Sequence, residues 1–171
     1  MSEERHRQRG TAAHNTVVVD SRDSSEVWGG FRVARRAHAT VGNIIISSDL
    51  VNITASHDGY NRLDPHVIHS RNILASNSEV VITDSIDQIG VSAKAYFHLH
   101  PNIKIATISD NSLELFSDDG HSMIIRSTSL IELEYSTYHP AFGVSVASQK
   151  ICVHLEDGEV EVSLKIKRST F

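Results

Sequence analysis

Apolar and polar residues alternate with a period of two along most of this chain. In VEVSLKIK, residues 160–167, Val160, Val162, Leu164 and Ile166 fall on one face and Glu161, Ser163, Lys165 and Lys167 on the other. That is the pattern of a half-buried strand. The same reading predicts strands over 16–19, 31–40, 43–47, 50–56, 67–75, 79–85, 91–99, 103–109, 113–117, 122–127, 130–138, 150–155 and 160–166. Turn-forming residues separate them: VGN at 41–43, Asp58-Gly59, SDN at 109–111, DDG at 118–120 and Asp157-Gly158. Asp157-Gly158 is the clearest hairpin, because it supplies the positive φ that a type I′ turn requires. Helical periodicity is almost absent. Many short strands without helices predict an all-β fold, an antiparallel β-sandwich of stacked sheets, over residues 11–171. Residues 1–10 are expected to be a polar, extended lead-in.

Composition narrows the function classes. A net charge of −5, with 21 acidic against 16 basic residues, argues against a nucleic-acid binder. No apolar stretch is long enough for a helical membrane span, and the charged start MSEERHRQRG is not a signal peptide. The single cysteine, Cys152, forbids an intrachain disulfide and a thiolate zinc cluster, and reads as a buried inert thiol. Eleven histidines scattered along 171 residues are the compositional outlier.

Three stretches could carry chemistry. His14 and Asn15 stand at the mouth of the strand over 16–19, in RGTAAHNTVVVD; a lone histidine there is either a hydrogen-bonded structural residue or a ligand. In SHDGYNRL, Asp58-Gly59 reads as a β-turn, yet His57, Tyr60 and Arg62 around it can act as acid, base or carboxylate clamp. In FHLHP, alternation puts His98 and His100 on one face, a spacing that suits a metal or a solvated edge strand. His66 and His69, three apart, point to opposite faces and cannot chelate together from one strand. The run Arg32, Arg35, Arg36 suits a polyanion, or is a solvated face.

Taken in order, RGTAAHNTVVVD, SSEVWGGFRVARRA, SHDGYNRL with HVIHSR, and FHLHP resemble the C-terminal β-sheet region of the heparinase II/III-like polysaccharide lyases, from about Arg9 onward. The resemblance implies a two-part enzyme, an N-terminal helical toroid followed by this β-sheet part, with an acidic polysaccharide in the cleft between them. The implied reaction is β-elimination at a uronic acid. The resemblance places His14 at the catalytic site; beside it, the reading of the residues takes Tyr60 as catalytic and Asn15, Arg32, Arg35, Arg36, His57 and Arg62 as substrate-binding. The resemblance also makes His14 a zinc ligand or a group close to the substrate, any other zinc ligands being supplied by the N-terminal part. The chain begins just before the AHN motif, so the toroid and its tyrosine base are expected elsewhere, for example on a separately encoded partner, and the isolated chain is expected to be inactive. The resemblance implies a periplasmic or cell-envelope setting. Two other readings stand beside it: a non-catalytic glycan-binding module, and a small cupin-like metalloprotein using His98 and His100.

Overall fold

The computed structural model describes residues 3–167. The chain opens with a short helix, α1 (Glu3–Arg9), and a 3-10 turn (Thr11–Ala13), followed by fourteen strands. These are β1 (Val17–Val19), β2 (Glu26–Trp28), β3 (Arg32–Ala34), β4 (Ala39–Ile46), β5 (Leu50–Tyr60), β6 (Val67–Ser76) and β7 (Glu79–Ile86). The remainder are β8 (Ala93–His98), β9 (Lys104–Ser109), β10 (Ser112–Phe116), β11 (Ser122–Ser127), β12 (Ile131–Tyr138), β13 (Val146–His154) and β14 (Glu159–Lys167). They form a four-stranded sheet in the order β1-β8-β13-β12, an eight-stranded sheet in the order β4-β5-β6-β7-β14-β11-β10-β9, and the hairpin β2-β3. All pairings are antiparallel, as the alternation predicts.

The core lies between the two sheets. Val17, Val19, Phe97, Ile151 and Val153 from the smaller sheet meet Leu113, Leu115, Ile125, Val160 and Val162 from the larger. Burying side chains of this size stabilises the fold by roughly 1.5–3 kcal/mol each. The smaller sheet covers only part of the larger one. A single cross-strand row shows this: Val162 pairs with Ile82, Ile82 with Ile73, Ile73 with Ile53 and Ile53 with Ile44. Exposure climbs along the row from 1% at Val162 to 54% at Ile44, so β4 overhangs the core. Cys152 is fully buried in a small second cluster with Val18 and Tyr96.

The structure revises four expectations. The first is the lead-in, which is helical over Glu3–Arg9 rather than extended. Seven residues are too few to hold a helix by themselves; Arg5 and Arg9 tie it to the β2–β3 turn through the carbonyls of Gly30, Gly29 and Arg32. The second is the strand over 31–40, which is broken by Arg35 at φ +40° into β3 and β4. The third is Asp58-Gly59, which is no turn: β5 runs through it with a register shift between His57 and Tyr60. Gly59 is there because a Cβ would lie 2.6 Å from the Ser24 carbonyl oxygen and 2.8 Å from Ala37 Cβ. The fourth is VGN at 41–43, likewise an irregularity inside β4. Asp157-Gly158 does form the expected tight turn, with φ of +49° and +83°.

Candidate functional site

The loop between α1 and β1 passes over the junction of the two sheets and is held from behind. Asn15 Oδ1 accepts the backbone N–H of His98 at 2.7 Å, which fixes the loop to β8 of the smaller sheet. The Asn15 carbonyl accepts Arg71 Nη1 at 2.7 Å, which fixes it to β6 of the larger. His98, at the end of β8, adds a third tie: Nε2 lies 3.0 Å from the Ala12 carbonyl oxygen and Nδ1 3.0 Å from Ser136 Oγ. A carbonyl only accepts, so the His98 proton sits on Nε2 and the hydroxyl donates to Nδ1. Burial also lowers the pKa of this imidazole. His14, between these anchors, is exposed and makes no side-chain hydrogen bond with the described residues.

Behind the loop, on the inward face of β5, β6 and β7, lies a chain of polar groups. Asp84 is completely buried, and Arg71 grips it with two hydrogen bonds, Nε to Oδ1 at 2.7 Å and Nη2 to Oδ2 at 2.8 Å. His69 Nε2 lies 2.7 Å from the same Oδ1, and His69 Nδ1 lies 3.0 Å from His57 Nε2. The Gly59 N–H points at His57 Nδ1, 3.2 Å away. These contacts dictate the protonation. Gly59 can only donate, so His57 carries its proton on Nε2 and gives it to His69 Nδ1; His69 then carries its own on Nε2 and gives it to the Asp84 carboxylate. Burial, and then the neighbouring His69, depress the His57 pKa to about 4. Burial would raise the Asp84 carboxyl, but the bonds from His69 and Arg71 outweigh it and hold its pKa below the ordinary value.

The remaining residues of interest are dispersed. Tyr60 has no exposed surface; its hydroxyl donates to the Val17 carbonyl at 2.7 Å, and burial pushes its pKa up. A phenol so placed joins β5 to β1 and does not reach a glycan. The Arg62 guanidinium is consumed by the carbonyls of Ser24, Gly59 and Asp23. Arg32, Arg35 and Arg36 are exposed on and after the β2–β3 hairpin, with Arg35 paired to Glu26 at 3.3 Å. His100 lies beyond the end of β8, stacked edge-on against Tyr138, with Nδ1 accepting Asn102 N–H. With both His98 nitrogens taken by the protein, the two do not form a metal pair.

His69, Arg71 and Asp84 escaped the sequence reading as a unit. The signal was present: in Val80, Ile82, Asp84, Ile86 an acid interrupts an apolar face, and a charge on a buried face needs a partner.

The residues here do not by themselves fit zinc. Zinc sites take three or four protein ligands, and His14 belongs to no group of three potential ligands among the described residues. The one such group is Glu132, Glu134 and Cys152. There Lys94 and Lys150 pair with the two acids, and the Cys152 thiol is buried, with its pKa raised by that burial.

The comparisons with known proteins agree on the fold. A heparinase III structure, the BT4657 gene product, superposes with a TM-score of 0.77 at 14% identity, covering 96% of this chain and 25% of that one. The heparan sulfate lyase HepC from Pedobacter heparinus gives 0.78 at 13% identity, covering 100% of this chain and 27% of that one. The architecture is therefore that of the β-sheet part of heparinase-type lyases, and the chain spans about a quarter of the length of these structures. A sequence model of the heparinase II/III-like, C-terminal family matches residues 2–167, and the chain belongs to that family. No curated protein sequence matches it. No helix among the described residues is long and apolar enough to cross a membrane.

Proposed function

We propose that the chain is the C-terminal β-sheet part of a polysaccharide lyase that cleaves uronic acid-containing glycans by β-elimination, with His14 as its group facing the substrate. The observation that carries this is the AHN loop: an exposed imidazole without a protein partner, on a backbone tied to both sheets through Asn15. Rigid support behind a free side chain is what a group that must meet a reacting atom needs. β-Elimination requires the uronate carboxylate to be neutralised, a base to take the C5 proton and an acid to protonate the departing O4. His14 supplies one proton-transfer group. Tyr60 is not the second, because its hydroxyl is buried and already donated. The second group, and any zinc ligands beyond His14, come in this reading from a helical toroid. A periplasmic or cell-envelope setting goes with a substrate of this kind.

The test is complementation. The chain is joined to the helical toroid of a heparinase III, and the ultraviolet absorbance of unsaturated uronate product is followed on heparan sulfate. Product is expected from the joined protein, none from the 171-residue chain alone, and at least a ~100-fold loss on His14→Ala, the lower end of what a proton-transfer group contributes. Full activity in the joined His14→Ala protein would refute the role of His14.

A further inference from the structure

A second cluster lies around the turn after β1 and the β2–β3 hairpin. A cavity of about 530 Å³ opens between the turn after β1 and the β2–β3 hairpin, a volume within the usual range for small-ligand sites. Its walls include Ser21, Arg22, Trp28, Arg35 and Arg62. Trp28 is the only tryptophan in the chain and is 45% exposed, an amphipathic ring left at a cavity wall. The cavity also holds two acids, but both are occupied. Asp23 accepts the Thr11 N–H at 2.6 Å, and Glu26 pairs with Arg35 at 3.3 Å. Arg62 is spent on backbone carbonyls. The guanidinium of Arg22 has no hydrogen bond or ion pair with the described residues and is the cation available to a ligand.

The backbone singles out the same place. Among the described residues, four that are not glycine adopt a positive φ: Asp20, Ser21, Arg35 and Asp157. Asp157 sits in the hairpin turn whose geometry demands it. Ser21 and Arg35 line the cavity, and Asp20 adjoins Ser21. Asp20 is locked by exchange with Ser92, its N–H to the Ser92 carbonyl at 2.8 Å and Oδ1 to the Ser92 N–H at 3.2 Å. Left-handed backbone without glycine is costly and persists where surrounding structure enforces it, which is typical of ligand clamps.

We propose that this cavity is a subsite for one acidic sugar unit, its ring stacked on Trp28 and its carboxylate or sulfate gripped by Arg22. A guanidinium matches either anion through two parallel hydrogen bonds, while the indole face accepts the apolar face of a pyranose. His14 is not among the residues lining the subsite, which would hold a unit of the glycan away from the bond being cleaved. The inference rests on the reading of the chain as part of an acidic-glycan lyase.

Because Trp28 is the sole tryptophan, its fluorescence reports the subsite directly. The 171-residue chain is titrated with a sulfated heparan tetrasaccharide, an unsulfated uronate tetrasaccharide and a neutral cello-oligosaccharide, with calorimetry in parallel. Saturable change in fluorescence is expected with one or both acidic ligands and none with the neutral one. Preference between the acidic ligands tells sulfate from carboxylate recognition. Arg22→Gln is expected to weaken binding about ten-fold or more with the reporter intact, and the exposed Arg126→Gln to leave it unchanged. Calorimetric binding of acidic ligand without any fluorescence change, or with full affinity in Arg22→Gln, overturns the subsite and leaves the acidic-glycan reading standing. Equal affinity for the neutral ligand overturns it as well. No binding by either method also overturns it, and the lyase reading is then decided by product formation with the toroid.

Discussion

Arg71 and Asp84 face each other on neighbouring strands, paired residue to residue between β6 and β7, and their double hydrogen bond leaves Arg71 Nη1 free to hold Asn15 at 2.7 Å. A buried ion pair is by itself weak evidence of stability, since desolvation offsets much of the attraction. Here it transmits the position of the larger sheet to the loop that presents His14. Removing one partner strands the other. Asp84→Ala is expected to cost about 3–5 kcal/mol in urea unfolding, because Arg71 and His69 are left with unpaired polar groups. A cost below about 1 kcal/mol would show that the pair does not organise the loop.

The hydrogen-bond directions around His57 and His69 are open to inspection by ¹⁵N NMR of the imidazoles. The contacts predict a proton on Nε2 in each ring and a bare, accepting Nδ1 on His57. A proton on His57 Nδ1 would mean that Gly59 N–H points elsewhere, contrary to its 3.2 Å contact.

The same groups set the response to acid. His57 has a folded pKa near 4 against about 6.5 in an unfolded chain. Between those values the unfolded state takes up a proton that the folded state refuses, so stability falls as pH drops from about 6.5 to about 4. Asp84 acts lower down. Its folded pKa is depressed, so its contribution is present above about 3.9, the unfolded value, and is lost as pH falls through the folded one. Urea midpoints for wild type and His57→Gln, taken at pH 7 and pH 5, measure the first effect. The variant is expected to lose less stability over that interval; an equal loss would place the acid sensitivity elsewhere.

Gly59→Ala probes the bulge in β5. The added carbon would meet Ser24 O at 2.6 Å and Ala37 Cβ at 2.8 Å; Ser24 lies in the connection before the β2–β3 hairpin and Ala37 in the one after it. Overpacking of this kind costs roughly 1–3 kcal/mol. Thermal melting within a degree of wild type would show that the neighbouring backbone moves aside.

Much of the fold was legible because most strands repeat a simple alternation. The face formed by Val160, Val162 and Leu164 is read off directly, and Asp157-Gly158 marks its turn. Gly59 and Gly42 misled, because a glycine that admits a close backbone approach inside a strand looks the same in sequence as one that makes a turn. α1 was not legible either, since tertiary bonds from Arg5 and Arg9 hold it rather than any periodicity of its own. At the site, His14 and Asn15 were visible as a motif, but the buried network behind them depends on the pairing of β5, β6 and β7. Residues 57, 69 and 84 become neighbours only through that register. Tyr60 is the converse case: a tyrosine beside His57 and Arg62 suggested chemistry, and long-range pairing with Val17 buries it.

The central claim is that the protein holds the AHN loop from behind and leaves His14 free for a ligand. Urea unfolding of His14→Ala beside wild type tests this most directly. A free, exposed imidazole predicts a difference within about 0.5 kcal/mol, as for ordinary surface positions. A loss of roughly 1–3 kcal/mol, the cost of leaving a buried partner unsatisfied, would make His14 a structural residue and contradict the account.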